Sequence, residues 1–75
     1  MSQNMKAERA RMGLTIKEVA DRIGVHANAV SRWENDEAEP NGTNLINLAK
    51  LYGVAPEYLL GQTDDRTGVA VARVR

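Results

Sequence analysis

Few side chains in this chain are equipped for catalysis. The single histidine, His26, cannot assemble a zinc cluster by itself, and the absence of cysteine removes both thiolate ligands and disulfides. No nucleophile stands with a plausible base partner, there is no glycine-rich phosphate loop, and the acidic run Asp36, Glu37, Ala38, Glu39 lacks the oxygen-ligand spacing of a calcium loop. No enzyme, metal or cofactor is expected. What remains is hydrogen-bonding chemistry on one short segment. From His26 to Asn35, Val30 and Trp33 are spaced for one buried helical face, which leaves Ala27, Asn28, Ser31 and Arg32 on the opposite, exposed one.

The elements that must position this face are marked by glycine and proline. Breaks at Gly13, Gly24, Pro40 to Gly42, Gly53 and Gly61 divide the chain into pieces of helical length, with few β-branched runs before residue 66. The pattern predicts an all-helical fold. Helix one runs from Asn4 to Met12, with Met5 and Met12 able to share a face at i, i+7. The Thr15 to Glu18 capping box opens helix two, whose Ile16, Val19, Ala20 and Ile23 fall at i, i+3, i+4, i+7. Only Gly24 and Val25 separate it from the His26 to Asn35 segment. Two helices joined so tightly must cross steeply, as in a helix-turn-helix. Leu45, Leu48, Ala49 and Tyr52 mark helix four, and Pro56 suits the first turn of a fifth helix carrying Tyr58, Leu59 and Leu60.

At 75 residues the chain is one small domain, too small to enclose a large cofactor. Its formal net charge is zero, so the global basic signature of a nucleic-acid binder is missing and any such role must rest on local patches. The charge is unevenly spread: six basic against four acidic residues over 1–34, one against six over 35–65, and three arginines in the last ten positions. Phe is absent, so the core is expected to be aliphatic, with Met filling gaps. No stretch approaches a membrane span, and the first residues lack the apolar centre of a secretory signal, which leaves the cytoplasm as the expected location.

The run RARMGLTIKEVADRIGVHANAVSRWEN, followed by Pro40, LINLAKLYGV and EYLLG, resembles the lambda-repressor-like helix-turn-helix family of bacterial and phage regulators, also called the xenobiotic-response-element family. The match covers about residues 5 to 63 and is specific because its landmarks agree in order: Arg9, G-L-T at 13 to 15, E-V-A at 18 to 20, I-G-V at 23 to 25, W-E at 33 and 34, G-V at 53 and 54. The resemblance implies a compact five-helix domain with the helix-turn-helix at helices two and three.

It also implies roles for particular residues. Arg9 of helix one pairs with Glu34 at the end of helix three, a guanidinium fork fixing one helix against the other. Ala20 takes the tight contact between helices two and three, and Trp33 anchors the core. The base-contacting positions fall on His26, Ala27, Asn28, Ser31 and Arg32, with Lys17 and Arg22 as backbone contacts. Asn28 suits a bidentate contact to adenine and Arg32 one to guanine, each worth roughly 1–3 kcal/mol of discrimination. Three positions depart from the family. Ile16 replaces a bracing glutamine, His26 stands where Ser or Thr usually caps helix three, and the loop after Glu34 carries acids where relatives often carry bases.

The resemblance points to a sequence-specific DNA-binding regulator, a repressor acting as a homodimer on a palindromic operator in double-stranded DNA. The alternative is a protein-interaction module on the same scaffold, such as an antitoxin or anti-repressor, using the acidic surface to bind a protein partner. Residues 1–63 are expected to form the domain and 64–75 a C-terminal tail or dimerisation arm. The valines of Thr67 to Arg75 favour extended pairing across a dimer axis.

Overall fold

The computed structural model describes residues 2–66. Among them the chain forms five helices, α1 (Ser2–Met12), α2 (Ile16–Ile23), α3 (Ala27–Glu34), α4 (Gly42–Tyr52) and α5 (Pro56–Leu59), and no strand. The all-helical, five-helix architecture is the expected one. The arm from Thr67 to Arg75 lies outside the described residues.

Three of the five helix starts have a local cause. At α2 the Thr15 Oγ1 accepts from the Glu18 backbone N–H at 3.0 Å while the Glu18 carboxylate accepts from the Thr15 N–H at 2.8 Å, closing the capping box. At α4 the Asn41 side chain accepts from the Asn44 N–H at 2.8 Å, so helix begins at Gly42, inside what reads as loop in the sequence. Pro56 opens α5, where its missing N–H has no partner to lose. His26 precedes α3 with extended backbone and makes no side-chain cap, so α3 starts one residue later than the sequence suggests.

The ends are more uniform. After α1, α2, α4 and α5 a glycine with φ of 69, 79, 68 and 77° turns the chain, and the residue beyond it donates its N–H back into the helix. An added Cβ at Gly13, Gly24 or Gly53 would meet nothing within 4 Å, so the backbone angle alone selects glycine there.

The helices close on a core of Met5, Val19, Ala20, Val30, Trp33, Leu48, Ala49, Tyr52, Val54, Tyr58 and Leu59. Leu48 and Leu59 are essentially inaccessible, and full burial of such a side chain stabilises the fold by about 1.5–3 kcal/mol. Met5 joins this core, whereas Met12, expected on the same face, is 40% exposed. It sits on the final turn of α1, at the rim, and the inner position between the two methionines is taken by Glu8, which is buried. Tyr58 and Leu59 of α5 are buried within the domain.

Candidate nucleic-acid interface

The exposed face of α3 is held from behind. Val30, Trp33 and Glu34 are buried on its inner side; Ala20 of α2, 1% exposed, lies in the same core, and its carbonyl accepts the backbone N–H groups of Gly24 and Val25 that turn the chain toward α3. Across the far end, Arg9 Nε donates to Glu34 Oε2 at 2.7 Å and Nη2 donates to Oε1 at 2.9 Å. The third guanidinium nitrogen, Nη1, donates to the Leu14 carbonyl at 3.1 Å. One side chain thus ties α3 to α1 and to the turn before α2. Its charge is favoured by the Glu34 carboxylate, which raises the Arg9 pKa still further.

The candidate contact residues stand as follows. His26, Ala27, Asn28 and Arg32 are exposed along the first two turns of α3 and the residue before it; Ser31 is half-buried, its Oγ 3.5 Å from the Asn35 amide. Lys17 and Arg22 are exposed on α2, Lys17 with its Nζ 3.0 Å from Asp21. Ile16 is half-buried against the core. The loop after Glu34 is exposed at Asn35, Asp36, Glu37 and Glu39, while Ala38 packs on the core and Pro40 is buried.

Other polar pairings were not foreseen from the sequence. Glu8, 1% exposed, accepts two hydrogen bonds of 2.7 Å from Arg66 and one of 3.1 Å from the Tyr58 hydroxyl. The Arg66 bonds hold its carboxyl below the ordinary glutamate range against the opposing effect of burial, with Tyr58 adding to them. Its place three residues after Met5, on the inward face of α1, was the available signal. Tyr52 is buried beside the Arg9–Glu34 pair; its phenol is pushed up to about 12, first by burial and then by the Glu34 charge. Asn4 donates to the Tyr58 carbonyl at 2.6 Å, pinning α1 to α5.

Comparison with known proteins matches this arrangement to one family. The helix-turn-helix family model covers residues 5–59. The repressor protein C2 of Salmonella phage P22 is 36% identical over 70 residues, which are 93% of this chain and 32% of that protein. The transcriptional regulator ImmR of Bacillus subtilis is 33% identical over 64 residues, 85% of this chain and 50% of that protein. The chain therefore spans a third to a half of the length of these relatives. A crystal structure of the P22 c2 repressor in complex with a synthetic operator superposes with a TM-score of 0.79 at 34% identity, covering 83% of this chain and 94% of that one.

Proposed function

This chain belongs to the lambda-repressor-like helix-turn-helix family, and from that premise we propose that it is a sequence-specific DNA-binding transcriptional regulator, a cytoplasmic repressor that inserts α3 into the major groove. The observation that carries this reading is the exposed face of α3, with Asn28 and Arg32 one helical turn apart and the helix fixed from behind by Arg9 and Glu34. An amide and a guanidinium so placed suit the adenine and guanine edges, while Ser31 and His26 serve shorter contacts and Ala27 suits a thymine methyl. Lys17 and Arg22, on α2, suit phosphates and set the register of the protein on the duplex. A homodimer would read two half-sites one turn of DNA apart, hence a palindromic operator.

The exposed acids of the loop after α3 favour a second reading, in which the same scaffold binds a protein partner and DNA only weakly. Selection of bound duplexes from a random pool, followed by a salt series, separates the two. A DNA-binding repressor selects a two-fold motif and loses affinity with a log–log slope of about −0.9 per phosphate neutralised. In the same assay, Arg32→Ala is expected to relax the motif at one base pair per half-site, and Lys17→Ala to weaken all sequences about equally. An unchanged motif with Arg32→Ala rejects this face as the reading surface, and no selection at all favours the protein-binding alternative.

A further inference from the structure

The end of α3 differs from the other four helix ends in one residue. Asp36 takes the left-handed position, φ 60°, that glycine occupies after α1, α2, α4 and α5. The closure is otherwise the same: Asp36 N–H donates to the Trp33 carbonyl at 3.3 Å and Glu37 N–H to the Arg32 carbonyl at 2.8 Å. The second bond joins the backbones of Glu37 and Arg32. Ala38 on the core and buried Pro40 then fix the direction in which the loop leaves. The result is a carboxylate seated beside the guanidinium, Glu37 Oε1 3.9 Å from Arg32 Nε, with both side chains about 60% exposed on the outer face.

Resting on the DNA-binding reading above, we infer that Glu37 is an intramolecular competitor for Arg32. It offers an oxygen acceptor where the groove would offer a base edge or phosphate, so Arg32 reaches DNA only by leaving it. The position is built by the backbone of the helix end rather than by the ion pair, which is too exposed to hold the loop by itself. Glu37 therefore lowers affinity through Arg32, and most for duplexes that offer Arg32 its base. Glu39, two residues on and also exposed, shares the loop's general repulsion of phosphate and lacks that backbone link to Arg32.

The test is a double-mutant cycle in duplex binding, using the full chain and the best sequence from the random pool together with a scrambled duplex. Glu37→Gln is expected to tighten binding about 2- to 5-fold at low salt, the range of an exposed ion pair, and the gain is expected to shrink as salt screens it. In an Arg32→Ala background the same substitution should recover only the smaller gain given by Glu39→Gln. A gain that is identical with and without Arg32 overturns the competition, and a loss of affinity identifies Glu37 as a DNA contact instead. Binding by the unmodified chain with no effect of Glu37→Gln overturns this inference alone. No binding by either protein overturns the DNA-binding reading and this inference with it.

Discussion

Glu8 and Glu34 illustrate how a small domain carries buried charge. Each carboxylate sits at 1–2% exposure and each is met by an arginine fork with two short bonds, which is the condition under which a buried ion survives desolvation. Loss of one partner from such a pair typically costs about 3–5 kcal/mol. For Glu8 the consequence is a pH dependence of known sign. Arg66 lowers its pKa in the folded state, so the folded protein binds this proton less readily than the unfolded chain. The stabilisation is complete above the ordinary glutamate pKa and is lost as pH falls through the lower, folded value. Urea unfolding of the natural chain and of Glu8→Gln should therefore differ most near neutrality and converge in acid, below the ordinary glutamate range. A difference that stays constant with pH would show that Glu8 acts by shape and not by charge.

Among the elements, what the sequence made readable follows from how local each signal is. The capping box at Thr15 and Glu18, the glycine stops and Pro56 act within a few residues of themselves, so helices one, two and five could be placed from type and spacing. Asn41 was equally local but stood beside Gly42 in a polar stretch, where a cap and a turn look alike. The Glu8–Arg66 pair could not be read at all, because its partners are 58 positions apart and helical periodicity reports which face is buried, not what meets it. Arg9 and Glu34 were paired only through the family resemblance. On the contact face, the residue types of α3 were readable, whereas the seating of Glu37 beside Arg32 depends on a left-handed backbone at Asp36, a residue type that tolerates this conformation but adopts others as readily. That choice has an energetic consequence. A non-glycine residue in the left-handed region costs roughly 1–2 kcal/mol, and glycine returns about 0.4–1 kcal/mol through the freedom of the unfolded chain, so Asp36→Gly should stabilise the domain by about 0.5–1 kcal/mol. Asp36→Asn is the control, since asparagine tolerates this backbone at least as well as aspartate does and lacks the charge. An equal gain from both, measured as a shift in urea midpoint, would assign the effect to charge repulsion instead of backbone strain.

At the scale of the whole molecule, the question is where the folded unit stops and what would bring two copies together. Arg66 closes the described structure twice over: its carbonyl accepts from the Ala55 N–H at 2.6 Å, at the start of α5, and its guanidinium neutralises Glu8 on α1. Arg66 therefore belongs with the domain, three positions beyond the boundary suggested by the linker composition. A chain ended at Arg66 should unfold at nearly the same urea concentration as the full chain, while one ended at Asp65 leaves buried Glu8 with only the longer 3.5 Å contact to Arg11 and should unfold at a clearly lower one. The same pair of truncations makes the dimer question clean, because only the shorter one damages the fold. With Tyr58 and Leu59 committed to the core of each protomer, helix five has little apolar surface left to offer a second copy, and the valines of residues 67–75 are the proposed source of the interface. Light scattering of the chain ended at Arg66 is expected to give a monomer where the full chain gives a dimer, with operator affinity falling sharply. A dimer that survives this cut would move the interface to the exposed surface of α4 around Ile46, which is 44% exposed, and Ile46→Lys would then be the substitution that separates the protomers.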